Sequence, residues 1–559
     1  MAPKRGTDWW KSSVVYQVYP SSFNDSDGDG VGDLPGVIER LDYLELLGVD
    51  VVWLSPVYPS PWDDNGYDIS DYLDIHPMFG TLADWDRLRD GLHERGMRLM
   101  MDLVVNHTSD EHPWFIESRA SKDSDKRDFY FWRPGRGGGP PNNWGSVFSG
   151  PAWTYDEATG EYYLHLFTRR QPDLNWENPR VRAAVHDVAR WWLDRGADGF
   201  RMDVINFVSK TPELPSGPLA ATSGHGVFTD YAVNGPRLHE FLHELHQEVF
   251  AGRDVLTVGE MPRVGVEQAL LHTMVERREL SMVFQFEHVN LDHGPGGKFD
   301  PRPLDLVRLK ESLNRWQAGL GESGWNSLYW NNHDQPRAVS RFGDEAHRVE
   351  SAKALATTLH MMKGTPYVYQ GEELGMTNAH MADIADYRDV ETLNHHRAMV
   401  ETGRVNEGTA MAAVARMSRD NARTPVQWDA SPGAGFTTGT PWIGINPNHT
   451  QINAEAAVAD PDSVFHYYRR LIALRKEHPV IVHGRFEPLL EEDPAVYAYT
   501  RTLDGRVLLV TANWSSDTVP LELDPSVARR DPVRLIGNYP DEGAFAPLRP
   551  WEARVHLGS

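Results

Sequence analysis

The chain has 559 residues, 40% hydrophobic and 24% charged, with no cysteine and a formal net charge of −25. This length exceeds one compact core, and the absence of cysteine excludes disulfides, thiolate catalysis and cysteine-held zinc. The acidic balance repels phosphate-rich partners, so nucleic acid is not an expected ligand.

Taken in chain order, Met1–Ser13 has no apolar run of signal-peptide length, and no stretch of about 18 apolar residues follows anywhere. The expectation is a cytoplasmic protein with no membrane partner. Short apolar strands then alternate with amphipathic helices, the pattern of a parallel α/β architecture. Strands are expected at Val14–Pro20, Asp50–Pro56, Arg98–His107, Gly199–Phe207, Val255–Glu260, Ser281–Phe286, Ser327–Asp334 and Pro366–Gly371. Eight is the count of a closed (β/α)₈ barrel. Helices are expected at Val37–Leu47, Arg180–Arg195, Glu350–Met362 and Ser463–His478, from apolar residues three and four apart. The stretch Thr108–Asn178 is too long for a βα loop and reads as a small inserted domain. Met376–Trp428 is a second excursion. Beyond about Val480 the pattern turns to alternating β segments, at Val496–Thr502, Arg506–Ala512, Thr518–Leu523 and Val533–Ile536, with a hairpin signal at Asp504-Gly505. The expected domains are 1–107 and 179–479 for the barrel, 108–178 for the insert and 480–559 for a C-terminal β-sandwich.

Barrel enzymes carry their chemistry at the C-terminal strand ends. There the chain has Asp102 to His107, Arg201 and Asp203, Glu260, and Asn331 to Asp334. Paired carboxylates suit glycoside hydrolysis, in which one ionised acid attacks the anomeric carbon and one protonated acid serves the leaving oxygen. Arg201 lies two residues before Asp203, on the same side of a strand, and is expected to keep that Asp ionised. Glu260 must keep its proton, which requires burial or nearby negative charge. Near the N-terminus, Asp25, Asp27, Asp29 and Asp33 alternate with glycine, serine and Val31, and Gly30 stands at the sharp turn. This is the start of a calcium-loop pattern, although Gly36 occupies the place of the usual twelfth-position Glu.

These motifs resemble those of the α-amylase superfamily of glycoside hydrolases (family 13). Asp102–His107, Gly199–Val204, Gly259-Glu260 and Asn332–Asp334 are similar to its four signature regions. Gln171-Pro172-Asp173-Leu174-Asn175 resembles the extra region of its oligo-1,6-glucosidase-like members. The likeness spans essentially the whole chain. It implies Asp203 as nucleophile, Glu260 as acid/base and Asp334 as the third acid. It also implies Asp64 and Tyr67 as the pocket floor, Arg423 as the partner of Asp64, His107 and His333 as ligands of the terminal glucose, and Phe167 as an aromatic wall. A single structural Ca²⁺, with Mg²⁺ as the alternative, would be held by Asp25, Asp27, Asp29, Asp33 and the Val31 carbonyl; no organic cofactor is expected.

Val204 follows the nucleophile and is expected to face the leaving group. In relatives, valine here accompanies α-1,6 cleavage. Phe284 to His288 and Gly259 to Pro262 look like oligo-1,6-glucosidase sequence. The expected activity is exo-acting, retaining release of glucose from isomaltose, panose and short isomalto-oligosaccharides by a monomer or weak homo-oligomer. The alternatives are an α-1,4-glucosidase or transglucosylase and, further off, a trehalose-6-phosphate hydrolase.

Overall fold

The computed structural model describes residues 8–220, 223–528 and 531–558. Most of the N-terminal stretch read for a targeting signal, residues 1–7, lies outside them. Eight strands form the barrel: β1 (Val15–Val18), β2 (Val51–Leu54), β3 (Arg98–Val104), β4 (Gly199–Asp203), β5 (Leu256–Glu260), β6 (Met282–Phe284), β7 (Ser327–Leu328) and β8 (Thr365–Tyr369). They pair in the order β7-β8-β1-β2-β3-β4-β5-β6. A parallel bridge between Val283 and Asn326 closes the ring. Strands β1, β2, β4 and β5 are buried at every residue, so the polar Arg201, Asp203 and Glu260 they carry are buried with them. Gly199 permits the close β4–β5 approach, since a Cβ there would lie 2.0 Å from the Leu256 carbonyl oxygen.

The register sets the site. Val104 stands opposite Asp203, Asp102 opposite Arg201, and Met202 opposite Gly259. Parallel strands run the same way, so their C-terminal ends share one rim. The expected seventh strand stops at Leu328, and Asn331 to Asp334 follow as irregular chain. The helix Pro179–Arg195 is opened by the Asn178 side chain, which accepts from the Arg180 amide, and it ends at left-handed Gly196. The helix expected over Val37–Leu47 is instead two, Leu34–Glu39 and Leu41–Leu47. Arg40 leaves helical dihedrals between them, and its guanidinium reaches Asn24 and lies 4.3 Å from the Trp428 ring centroid.

Between β3 and β4, strands Trp132–Arg133, Glu161–Leu164 and Trp153–Asp156 make a small antiparallel sheet. A single bridge, His107 with Asp173, ties the insert to the end of β3, and another, Tyr130 with Leu174, braces the insert itself. Buried Lys210 reinforces the tie: its Nζ lies 3.0 Å from Asp173 Oδ2 and donates to Asn106 Oδ1 at 3.1 Å. After β8, helices Val390–Glu401, Glu407–Met417 and Asp420–Arg423 fold back toward the rim.

The C-terminal region holds one antiparallel sheet, in the order Arg485–Leu489, Val496–Leu503, Arg506–Asn513, Ala553–Gly558, Val533–Gly537. Asp504 and Gly505, with φ of 50° and 80°, make the expected hairpin turn. The sandwich form does not appear among the described residues. Thr518–Leu523 contributes a single bridge, Val519 to Leu548, because Pro520 removes a ladder donor. One sheet face rests on the barrel, where the Tyr499 hydroxyl donates to the Thr358 carbonyl at 2.7 Å. Irregular chain carrying Leu521 and Leu548 covers the other. No helix among the described residues is long and apolar enough to cross a membrane.

Candidate active site

A cavity of about 290 Å³ opens at the C-terminal rim, lined by Asp64, Tyr67, His107, Phe167, Asp203, Val204, Glu260 and Asp334 among others. Eight of the eleven expected catalytic and substrate residues therefore meet in one hole. Arg201, His333 and Arg423 lie behind its walls, each with 1% exposure or less.

Arg201 is the hub. Its Nη1 lies 2.8 Å from Asp203 Oδ1 and 2.9 Å from Asp102 Oδ1, and its Nη2 lies 2.5 Å from Glu260 Oε2. Three carboxylates on one guanidinium cannot all stay ionised at low cost in a buried site. Burial outweighs the cation: it pushes Glu260 up to about 8 and Asp203 up to about 7. The expectation that Arg201 alone would hold Asp203 ionised is thus corrected; Arg201 lowers it, but desolvation and Asp102 raise it more. Glu260 lowers Asp203 through a hydrogen bond and keeps its own proton to the higher pH of the two. Asp334 behaves in the opposite way. Despite burial, the Arg419 and Arg423 guanidiniums hold it well below the usual carboxylate range.

Val204 adopts a left-handed backbone, with φ of 33°, uncommon for a β-branched residue. The turn aims its N–H at Glu260 Oε2, 3.1 Å away, while its side chain faces the cavity. Strain is stored here in the residue that joins nucleophile to acid.

The pocket floor departs from expectation at one residue. Arg419, not Arg423, pairs with Asp64: Nη2 to Oδ1 is 3.1 Å. Arg423 instead donates to Asp334 Oδ1 at 2.9 Å and to the His333 carbonyl at 3.1 Å. Arg419 also contacts Asp334 at 3.1 Å and Asp389 at 2.5 Å, so it joins the floor to the third acid. Changing Arg419 to Ala should open that floor: KM for the shortest substrate rises about 10- to 100-fold, since a buried charge pair is broken, with a smaller fall in kcat. Equal loss in kcat with KM unmoved would contradict it.

His333 is fully buried between Tyr67 and Gln17: its Nε2 lies 2.7 Å from the Tyr67 hydroxyl, and its Nδ1 2.8 Å from Gln17 Nε2. It orients Tyr67, which stacks on it at 5.2 Å, and does not itself line the hole. His107 does, with Phe167 5.0 Å away between ring centroids. Burial keeps both imidazoles neutral, pushing His107 down to about 4 and His333 to about 3.

Sequence reasoning missed the far side of the cavity. Lys298 and Glu391 line it and pair at 2.6 Å, and Phe148, Phe286 and Gln335 complete the wall. Of the stretch Phe284 to His288 only Phe286 faces the cavity; Gln285 and His288 are bonded to each other at 2.7 Å in the core.

In the N-terminal acidic loop, one carboxylate oxygen each from Asp25, Asp27 and Asp29 lie within 4.8 Å of one another. These are hard oxygen donors suited to Ca²⁺ or Mg²⁺. Gly30, with φ of +96°, makes the turn, and a Cβ there would lie 1.8 Å from the Thr440 carbonyl oxygen. Val31 follows, its N–H donating to Asp29 Oδ1 at 2.8 Å. Asp33 is not gathered with the three: it caps the helix Leu34–Glu39, accepting from the Gly36 amide at 2.6 Å, and takes the Ser26 hydroxyl at 2.8 Å.

Residues 17–484 match the family described as alpha amylase, catalytic domain, and residues 486–555 match maltogenic amylase, C-terminal domain. The chain is 59% identical over 553 residues to an oligo-1,6-glucosidase of Parageobacillus thermoglucosidasius, covering 98% of each. It is 50% identical over 558 residues to a trehalose-6-phosphate hydrolase of Bacillus subtilis, covering 98% of each. The crystal structure of a Bacillus licheniformis trehalose-6-phosphate hydrolase superposes with a TM-score of 0.92 at 46% identity, covering 99% of this chain and 100% of that one.

Proposed function

This chain belongs to the α-amylase catalytic-domain family and is a glycoside hydrolase, and on that premise we propose that it releases terminal, non-reducing α-1,6-linked glucose from isomaltose, panose and short isomalto-oligosaccharides. The observation that carries the mechanism is the shared guanidinium. Asp203 and Glu260 sit on the two amino groups of Arg201, an arrangement that suits the close pairing of a double displacement. Asp203 attacks the anomeric carbon, Glu260 gives its proton to the leaving oxygen, and Glu260 then takes a proton from the water that frees glucose with its configuration retained. Asp334, ionised, grips sugar hydroxyls. Asp64 and Arg419 close the floor, which suits an enzyme that removes one end unit.

Linkage is read from the wall beyond Val204. The β-branched side chain narrows the approach of the leaving sugar, and Lys298 with Glu391 offers hydroxyl partners across it. Both cations of the cavity are already matched, Lys298 by Glu391 and Arg419 by Asp64, Asp334 and Asp389. That disfavours a sugar phosphate and supports the oligo-1,6-glucosidase reading over the trehalose-6-phosphate one. Initial rates on isomaltose, panose, maltose, sucrose and trehalose 6-phosphate test it. Isomaltose should be turned over fastest of the disaccharides, with α-glucose appearing first by NMR; maltose well ahead of isomaltose, or early β-glucose, refutes it. Replacing Val204 by Ala should lower the isomaltose-to-maltose ratio of kcat/KM about 5- to 100-fold, the reach of size discrimination.

The acidic loop is read as holding one Ca²⁺, or Mg²⁺, through Asp25, Asp27 and Asp29, with Asp33 capping the next helix. The ion would neutralise the crowded carboxylates and stiffen the loop after β1. Chelation should lower Tm by several degrees, restored by Ca²⁺, and Asp27→Ala should remove that response. The enzyme is read as cytoplasmic, receiving short oligosaccharides, as a monomer or weak homo-oligomer.

A further inference from the structure

Outside the cavity, the helix Leu238–Leu245 and the helix Val266–Thr273 meet at the segment before β6. His239 comes from the first, His272 from the second and Glu279 from the segment. We propose that these three residues form a binding site for a divalent transition metal of the zinc class.

Both imidazoles turn the same nitrogen to one carboxylate. His272 Nδ1 lies 2.7 Å from Glu279 Oε2, and His239 Nδ1 lies 2.9 Å from the same oxygen. The rings stack, 4.4 Å between centroids and 25° between planes, so neither nitrogen can turn away without unstacking. All three ligand atoms lie within 4.8 Å of one another. Nitrogen and carboxylate ligands of zinc stand about 2.0–2.2 Å from the ion. These contacts therefore need to widen by about 0.4–0.9 Å to reach the ligand edges of a tetrahedral ion when it replaces the bridging protons.

The donor set selects the ion. Two imidazoles favour zinc, copper and nickel over the oxygen-seeking calcium and magnesium. Arg277 Nη2, 2.9 Å from Glu279 Oε1, engages one carboxylate oxygen and leaves the other to the ion. His239, with 39% side-chain exposure, gives the way in, and Glu279 also borders a cavity of about 310 Å³. A metal here would link two helices to the base of β6, outside the cavity, so its effect is on stability.

The test titrates Zn²⁺ into the full-length protein, stripped of metal and returned to Ca²⁺, by calorimetry and thermal melting, with Co²⁺ absorption as a geometric probe. Expected are one bound Zn²⁺, a higher Tm, cobalt bands of an N/O-ligated ion, and unchanged hydrolysis. His239→Ala, at the half-exposed position, should lose that equivalent and the Tm rise while folding normally, and Glu279→Gln should do the same. Wild-type protein that takes up no Zn²⁺, or a His239→Ala variant that binds it with the same stoichiometry and affinity, overturns the site.

Discussion

Replacing Asp203 by Ala lowers kcat/KM on isomaltose by about 10⁵-fold, the scale of losing the nucleophile of a two-step mechanism. No other acid can stand in. Asp102 is completely buried behind Arg201, held by that cation and by the Tyr67 hydroxyl at 3.1 Å. Asp334 is held by two arginines and a neighbouring histidine. The fold should survive, because Asp203 is one of three carboxylates crowding one guanidinium, and removing it relieves repulsion as much as it removes attraction. Tm is expected to be unchanged or slightly higher. Azide should enter the space left by the carboxyl and trap the sugar as the β-glucosyl azide, a single inversion. Isomaltose turnover by pure Asp203→Ala protein within about 100-fold of wild type, or an α-configured azide product, would remove Asp203 from the role.

The parts of this site that were legible in the sequence are those fixed by strand ends. Asp203 and Glu260 close β4 and β5, and parallel strands leave no choice about which rim they reach. The charge state of Asp203 was not legible. Its Arg201 neighbour is visible two residues away, but Asp102 comes from the adjacent strand and the desolvation comes from the whole pocket. Arg419 was missed for a geometric reason. It lies four residues before Arg423, one helical turn away, and 355 residues from its partner Asp64. A motif can fix the turn, yet one step of rotation decides which guanidinium reaches the floor. Lys298 and Glu391 belong to two separate excursions that no local pattern relates, so their pairing across the cavity appears only in three dimensions. The C-terminal sheet was legible where a hairpin turn marked it. It was misread at Thr518–Leu523, where apolar alternation was strong and the single Pro520 decided otherwise.

Glu260→Gln carries the second large effect, and its pattern is more diagnostic than its size. The amide can still accept from the Val204 N–H and the Arg201 guanidinium, so geometry is preserved and only the proton is lost. Isomaltose, whose leaving group is a sugar alkoxide, should slow by about 10³-fold or more, the typical contribution of a general acid. An aryl glucoside with an acidic phenol needs no such help, so its first, bond-breaking step should be much less affected and glucosyl-enzyme should accumulate before water slowly releases it. The wild-type pH profile supplies the control. Below about 7 Asp203 takes up a proton and cannot attack; above about 8 Glu260 has lost its proton and cannot donate. The profile of kcat/KM should therefore be a narrow bell between those limbs, belonging to the pair as a unit. In Glu260→Gln the alkaline limb should vanish while the acid limb stays near its place, because Glu260 is already neutral where Asp203 titrates. Equal losses on isomaltose and the aryl glucoside, with the alkaline limb intact, would mean that the proton comes from elsewhere and that the shared guanidinium does not define the pair.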